Sequence, residues 1–467
     1  MKVATVSSRI FSAGDHRLAP SYHVVTDELA LNFGRSDALA DVCVPGGLYR
    51  GQIFRRIFAP DPSCGRPYVT ATDLEQAEVR PVVYLSQVHG ALLGRLALHE
   101  DMIAVSCSGV NLGKAFYVRP DMDGLVASHD LIRVQADPAK IRPGYLFAYL
   151  DSQYGRGALR QSTHGGSVRH IEPDDLAQLQ VPRLADAQEA EIHRLVFEAS
   201  RLLADQAARL ERATEALEIA AGLDAALLEG WENRSDRLGW GELNAGTSSL
   251  RALNYDPRTR AIHDVLTSGL HTPLGQLCDP AYFRGKQVFT REEASPSEGV
   301  LLLGQRAAFR LRPEGRYISL RSVESNRLRV PAGTVLIPSH GTLGPRELYC
   351  RALVVTPGMS EHAFSGDFFR CVPLADEVEP GYLYAFLRSR FAFRLLRGMS
   401  SGGKQQELAT QRMAELPVPR IGDQAERKIG REIDSAATAY DSAVQKLTQA
   451  RLYIEKAVRN SSSDQTP

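Results

Sequence analysis

The fold is decided by a stretch that is written twice. PGYLFAYLDS at residues 143–152 returns as PGYLYAFLRS at residues 380–389, which is 237 positions later. At the same offset, LQVPRL at 179–184 matches LPVPRI at 416–421. The match continues without a gap into the segments that follow, so chance similarity of apolar stretches is a poor explanation. The chain therefore contains an internal repeat.

Other short anchors extend the repeat in both directions. Gly165-Gly166 matches Gly402-Gly403 at the same offset, and Arg50-Gly51 corresponds to Arg284-Gly285 with a slightly shorter one. Upstream, GVNLGK of the first copy resembles GTLGP of the second. Each copy thus has borders that the other shares, and we expect both copies to fold on a common frame.

The segments between these anchors, roughly 50–100 and 286–330, show little similarity to each other. The stretch 280–351 has twelve Arg or Lys and six Glu. Arginine suits bidentate contact with guanine edges as well as contact with phosphates. The diverged middles therefore favour two readers of nucleic acid with different preferences.

Each copy ends in a segment with apolar residues at spacings of three, four and seven, which predicts a long helix with an a/d seam. Asp186 and Asp423 are favoured N-cap residues at the two starts. The register favours packing of the two helices on each other over packing on their own domains. The seam residues are Ile192, Val196, Leu203, Leu210 and Leu217, and Ile429, Ile433, Tyr440, Leu447 and Ile454.

These patterns predict a mixed α+β fold. Two globular domains are separated by two long helices that form an antiparallel coiled coil, with an internal pseudo-twofold repeat. The predicted boundaries are a first domain at 1–184, a helical spacer at 185–232, a second domain at 233–421, a helical region at 422–458 and a disordered tail at 459–467.

Composition limits the class of protein. The chain has 55 Lys and Arg and 55 Asp and Glu, so it is not polybasic, although local basic patches remain possible. Its six cysteines have no zinc or disulfide spacing, which is typical of free thiols in a reducing compartment. We find no signal peptide and no apolar run of about 18 residues, and we expect a cytoplasmic protein.

The stretch GMSSGGKQQ at 398–406 resembles part of a phosphate-binding loop. A phosphate loop follows a strand and carries Ser or Thr after its lysine, whereas a helical pattern precedes this stretch and Gln405 occupies that position. In the first copy Ser167 replaces Lys404. No metalloprotease motif and no histidine cluster with ligand spacing is present. The sequence therefore predicts no catalytic residue, no metal site and no cofactor of its own.

Basic side chains in and around the middles are the candidates for contact with DNA. In the first copy they are Arg50, Arg55, Lys114, Arg160 and Arg169. In the second copy they are Arg284, Lys286, Arg310, Arg312, Arg316, Arg321 and Arg397. Two such readers on one frame predict a bipartite DNA site with an unread spacer.

The order of these segments, repeated twice, resembles the specificity (S) subunits of type I restriction-modification enzymes. The residues that carry the resemblance are the GVNLGK and GTLGP turns and the glycine segments THGGSVRH at 163–170 and SGGKQQ at 401–406, each followed by VPR and a long helix. The resemblance implies that 1–184 and 233–421 are target-recognition domains 1 and 2.

The resemblance also implies partners and further site residues. Such subunits bind double-stranded DNA and assemble with two methyltransferase (M) subunits and with restriction (R) subunits, which use S-adenosylmethionine, ATP and magnesium. In the family the loops around the Gly-Gly turn lie near DNA. That carries over to His164, Ser167 and Arg169 and to Lys404, Gln405 and Gln406.

Three other hypotheses stay open at this point. The chain could be a two-armed scaffold that joins proteins and does not bind DNA. It could be a sequence reader in another phage-defence system. It could also be an enzyme whose glycine loop at 398–406 binds ATP. The counterpart of that loop in the first copy argues against this, because Ser167 stands there in place of Lys404.

Overall fold

A computed structural model describes residues 35–59, 62–162, 170–228, 251–285 and 287–463. The chain divides into two compact units. Unit 1 comprises Met1–Ala204 with Ser442–Pro467, and unit 2 comprises Asp205–Asp441. The stretch 229–250, between the two copies, lies outside the described residues.

The elements of the first copy are short, apart from one helix. Its strands are β1 Ser36–Ala38, β2 Cys43–Arg50, β3 Gly65–Val69, β4 Tyr84–Ser86, β5 Ile103–Ser106, β6 Ala115–Tyr117, β7 Val126–Ala127, β8 Leu131–Ala136 and β9 Gln180–Pro182. Its helices are α1 Ala71–Leu74, α2 Ala91–Leu96, α3 Pro143–Asp151, α4 Gln153–Gln161, α5 Pro173–Ala177 and α6 Asp186–Ala220.

The second copy follows largely the same order of elements, with several additional ones. Its strands are β10 His271–Pro273, β11 Gly299–Leu303, β12 Arg316–Ser319, β13 Val335–Pro338, β14 His340–Gly341, β15 Leu353–Val354, β16 Ala363–Phe364, β17 Phe368–Cys371, β18 Ser400–Gly402, β19 Gln406–Leu408 and β20 Pro417–Pro419. Its helices are α7 Pro257–Ser268, α8 Leu274–Leu277, α9 Gln305–Ala308, α10 Leu320–Ser325, α11 Pro380–Arg388, α12 Arg390–Gly398, α13 Thr410–Ala414 and α14 Asp423–Ser463. The described part is mixed α and β, as predicted.

The sheets show that the dissimilar middles share a topology. In unit 1 the order is β4-β3-β7, with β3 antiparallel to β4 and parallel to β7. In unit 2 the order is β12-β11-β16, again with one antiparallel and one parallel pair. The middles thus differ in sequence but share this strand pairing, because exposed positions can change freely while the buried pairing is kept.

The core of each frame contains a buried arginine. Arg133 on β8 donates hydrogen bonds to the carbonyl oxygens of Leu96, Ala127, Ser128 and Leu131 at 2.6–3.1 Å. Its side chain is fully buried, and burial lowers its pKa to about 10, so it remains charged at neutral pH.

Arg370 on β17 is the counterpart of Arg133, 237 residues later. It donates to the carbonyl oxygens of Phe364, Ser365 and Phe368 at 2.8–3.1 Å, and burial likewise lowers its pKa to about 10. Three of the four carbonyl acceptors of Arg133 thus recur at the same offset. Each arginine stabilises the turn between two strands, β7 and β8 in the first copy and β16 and β17 in the second. Arginine is also a residue type typical of DNA binding, but these two side chains have a structural role.

A second repeated contact joins the border strand to the start of the long helix. Arg183 pairs with the buried Glu189 at 2.9 Å, and Arg420 pairs with the buried Glu426 at 2.8 Å. In each copy the same carboxylate also accepts a hydrogen bond from the backbone N–H of the residue after the arginine, which is Leu184 or Ile421. These pairs fix the helix start at the predicted VPR border.

The two long helices bury the predicted seam. All ten seam residues are at most 6% exposed, and Ala443 is fully buried among them. Within unit 1, Lys446 of α14 pairs with Glu198 of α6 at 2.6 Å. Within unit 2, Glu432 of α14 accepts from Arg209 of α6 at 3.2 Å. Helix α14 continues to Ser463, so the predicted disordered tail is wrong for 459–463, and residues 464–467 lie outside the described residues.

A histidine at the start of α6 makes the stability of unit 1 dependent on pH. Burial lowers the pKa of His193 below 6.5, and its Nδ1 accepts the backbone N–H of Gly144 at 3.2 Å. Unfolded histidine titrates near pH 6.5. The stabilisation by neutral His193 is therefore complete above that pH and is lost as the pH falls through the lower, folded pKa.

We therefore expect the melting temperature to decrease between about pH 7 and pH 5. Replacement His193→Gln keeps an acceptor without a titrating group, and it should make this decrease smaller. Thermal unfolding at several pH values measures both. An identical pH profile for the wild type and the variant would argue against a role for His193. His129 and His362 also have lowered pKa values, so part of the decrease should remain.

Candidate nucleic-acid interface

In unit 1 the predicted site residues gather where β2 and β5 end and β8 begins. Arg50 donates from Nε to the carbonyl of His129 at 3.2 Å and from a terminal nitrogen to Glu172 at 2.5 Å. Lys114, after the GVNLGK turn, is half-buried and pairs with Glu75. Arg55 and Arg160 are exposed. The border arginine is thus anchored at the strand ends, while its neighbour Arg55 faces solvent.

Asp130 organises the same strand ends. Its carboxylate accepts from the hydroxyls of Ser128 at 2.9 Å and Ser108 at 3.2 Å, and it pairs with Arg56 at 3.4 Å. Burial raises the pKa of Asp130, but these hydroxyl donors and the charges of His129 and Arg56 outweigh burial and lower it overall. The ionised carboxylate therefore holds Arg56 at the surface of unit 1.

The glycine segment of unit 2 forms a β-hairpin. Strands β18 and β19 pair antiparallel, and β19 also pairs with β14. Gly402 has a φ of +93°, and a Cβ there would come within 2.6 Å of the carbonyl of Gln405, so the turn requires glycine. The stretch GMSSGGKQQ is therefore a strand-turn-strand after helix α12, which is not the strand-loop-helix of a phosphate-binding loop.

The hairpin exposes some predicted site residues and buries another. Lys404 and Gln405 are exposed at the turn. Gln406 is 3% exposed, and its amide donates to the carbonyl of Gly403. Arg284, also exposed, precedes Gly285, whose Cβ position lies 3.5 Å from the carbonyl of Leu408 on β19. Arg284 therefore lies next to a residue that packs near the end of β19.

Arg397 has a structural position under this hairpin. Its guanidinium donates to the carbonyls of Leu343 at 2.5 Å and Gly344 at 2.9 Å, and it stacks 4.3 Å over the ring of Phe393. Burial lowers its pKa. Arg397 thereby holds the GTLGP turn. Arg397 and Gln406 thus bond to backbone carbonyls within the fold, whereas Arg284, Lys404 and Gln405 are exposed.

His340 lies on β14, the strand that pairs with β19 of the hairpin. Its Nδ1 lies 2.9 Å from the hydroxyl of Ser339, and its Nε2 lies 3.4 Å from Glu407 on β19. Ser339 donates to the carbonyl of Asp367 at 2.7 Å. Asp367 is the counterpart of Asp130, and Ser365 donates to it as Ser128 does to Asp130. The repeated pattern Ser-x-Asp at 128–130 and 365–367 could have identified these residues from the sequence.

Several candidate arginines of the segment 286–330 are exposed, and some of them form ion pairs. Arg316 is 77% exposed and pairs with Glu293 at 2.9 Å, and Arg310 lies 3.7 Å from Glu314. Arg312 is partly buried and Arg321 is exposed on α10. Exposed pairs of this kind are weak and can exchange partners, so these cations remain able to meet phosphates.

Four predicted contacts, His164, Ser167, Arg169 and Lys286, lie outside the described residues. Within the ranges that the structure describes, no group of three or more His, Cys, Asp and Glu could hold a metal ion. In those same ranges no helix is both long and apolar enough to span a membrane.

Comparison with known proteins gives similarity in structure only. No protein-family model matches the chain, and no curated protein matches it. A type I restriction-modification S subunit from M. genitalium aligns at 14% identity with a TM-score of 0.39, covering 91% of this chain and 95% of the other.

Two further solved chains are similar. One is an HsdS subunit from Thermoanaerobacter tengcongensis, at 15% identity, a TM-score of 0.29 and coverage of 91% and 96%. The other comes from a structure of complex assembly and conformational transition of the type I R-M system, at 16% identity, a TM-score of 0.29 and coverage of 91% and 97%.

Proposed function

We propose that the chain is a non-catalytic DNA-specificity subunit of a type I restriction-modification system that recognises a bipartite target. The observation that carries the proposal is one frame built twice with different exposed side chains. Buried Arg133 and Arg370 make matching contacts, whereas the residues at the surface differ between the copies. A protein that reads two different half-sites needs this combination.

The exposed residues favour DNA as the ligand. Unit 2 exposes Arg284, Lys404 and Gln405, and glutamine and the cationic side chains are the types that read adenine, guanine and phosphate. Unit 1 presents Arg55 and Arg56 beside its own strand ends. We assign sequence readout to these surfaces, and we assign the first domain to 1–184 and the second to 233–421.

We further propose that α6 and α14 form an antiparallel coiled coil. Support comes from the buried seam and from the ion pairs inside each unit, in which Glu198 meets Lys446 and Arg209 meets Glu432. The earlier residue of α6 pairs with the later residue of α14, as antiparallel packing requires. The spacing between half-sites would then depend on the helices.

The partners of this role are double-stranded DNA, two M subunits and R subunits. S-adenosylmethionine, ATP and magnesium would bind to those partners. One of the similar solved chains comes from a structure that describes complex assembly of the type I R-M system. The chain itself would choose the sequence, and its partners would methylate or cut.

A methylation map of host DNA tests the proposal. The chain is co-expressed with a matching M subunit, and modified bases are located by sequencing. We expect one methylated motif in two parts, separated by a spacer of constant length. Co-expression without this chain is the control and should remove the motif. A complete M subunit that gives no bipartite motif with the wild-type chain would contradict the proposal.

A further inference from the structure

We propose that the loop Gln52–Phe58 and the adjoining turn Gln87–His89 form the base-contacting surface of unit 1, and that its aliphatic side chains contact thymine methyl groups in the major groove. This inference rests on the proposed DNA-binding function and specifies the chemistry of one half-site. We name the two segments together the apolar reader.

Four large apolar side chains of the apolar reader are exposed to solvent. Ile53 is 72% exposed, Val88 is 73% exposed, and Ile57 and Phe58 are 46% and 47% exposed. Scattered exposed apolar residues are ordinary, but contiguous ones mark an interaction surface. The backbone N–H of Ile57 donates to His89 at 3.3 Å, so these exposed residues lie on adjoining segments.

The loop is held in place although it has little regular structure. The backbone N–H of Ser86 donates to the carbonyl of Ile57 at 2.9 Å, and that of Ala59 donates to Tyr84 at 2.8 Å. Phe54 is the internal anchor, because it packs on the core of unit 1 and meets the His89 ring edge-on at 5.1 Å. Ile53 and Arg55, on either side of this anchor, are exposed. A preorganised surface loses less conformational entropy on binding.

The charge of the surface favours DNA over a protein partner. The segment 42–60 contains Arg50, Arg55 and Arg56 and no acidic residue. Arg56 is oriented by Asp130 at 3.4 Å, and its guanidinium lies 5.9 Å over the ring of Tyr68. Cations that border an aliphatic patch can meet phosphates while the patch meets bases.

The chemistry of the patch selects the base feature. Isoleucine and valine side chains have no hydrogen-bond donor or acceptor, and the thymine C5-methyl is the apolar group that the major groove presents. In unit 2 the stretch 287–298 also exposes an aliphatic side chain, Val288 at 85%, but it contains Glu292, Glu293 and Glu298. These carboxylates would repel phosphates, so the inference is made for the half-site that unit 1 reads.

The first arm of the test maps methylation for Ile53→Ala and Val88→Ala in the complex with M subunits. The matched control is Ile219→Ala, since Ile219 is 73% exposed on α6 and belongs to unit 2. We expect either reader variant to relax a thymine-containing position in one half of the motif and to leave the other half unchanged. The control should keep the wild-type motif. Two variants are used so that failure of one to assemble leaves the inference testable.

The second arm measures affinity for duplexes that carry the mapped motif, with each thymine of the affected half replaced in turn by uracil. Removing a contacted methyl should weaken wild-type binding about fourfold, and Ile53→Ala or Val88→Ala should remove that sensitivity. If no thymine is sensitive, or the variants remain as sensitive as the wild type, the inference is overturned. A wild-type chain that yields no motif would instead overturn the proposed function, so the two failures are distinguishable.

Discussion

Replacement of Arg370 by alanine is expected to destabilise unit 2 by about 4 kcal/mol. The side chain is 1% exposed and donates to three backbone carbonyls, so alanine leaves these acceptors buried without a partner and opens a cavity. Thermal or denaturant unfolding of the purified chain measures the loss. The corresponding change Arg133→Ala should have an effect of similar size in unit 1.

The control for this prediction is Arg329→Ala. Arg329 is 41% exposed and pairs with Glu361 at 2.7 Å. An exposed ion pair contributes at most about 1 kcal/mol, so this variant should unfold nearly as the wild type does. If Arg370→Ala were as stable as the control, the assignment of the buried arginines to the frame would be wrong.

Reversing the charges of Arg284 and Lys404 together is expected to reduce DNA affinity at least about 100-fold at moderate salt. Both side chains are exposed in unit 2, and each glutamate would repel the phosphates that the cation attracts. The salt dependence of binding should become shallower by about one per lost phosphate contact. Titration of the complex with the mapped motif at several salt concentrations measures both quantities.

Arg427→Glu with Lys428→Glu is the matched control, because both residues are exposed on α14 in the same unit. It changes net charge equally but lies outside the proposed reading surface. Equal losses in both double variants would indicate a general charge effect, which would contradict a DNA contact at the hairpin.

Much of the frame could be predicted from the sequence. The offset of 237 residues, the helix pairs after Pro143 and Pro380, and the seam of the long helices are all visible as repeated apolar patterns. They are visible because buried positions tolerate few residue types. Helix α14 also extends beyond the predicted end at 458. The sequence did not predict this extension, because polar residues such as Asn460 carry no periodic signal.

The middles and the site were harder to predict for the same physical reason. Their strands are short and their exposed positions are free to differ, so Tyr68-Val69 and Leu302-Leu303 reveal their shared parallel pairing only in the structure. The type of a residue also does not show where it points. Arg133 and Arg55 look alike in the sequence, yet one is buried among carbonyls and the other is exposed.

The division of the chain has a consequence for the order in which it folds during synthesis. Every residue of unit 2, Asp205–Asp441, leaves the ribosome before the segment Ser442–Pro467 that completes unit 1. Until then Glu198 has no Lys446 to pair with, and the backbone N–H of Gln153 lacks its acceptor Glu455. The half that is translated first is thus the half that is completed last, and a nascent chain stalled near residue 441 would present the unfinished apolar seam of α6 to chaperones.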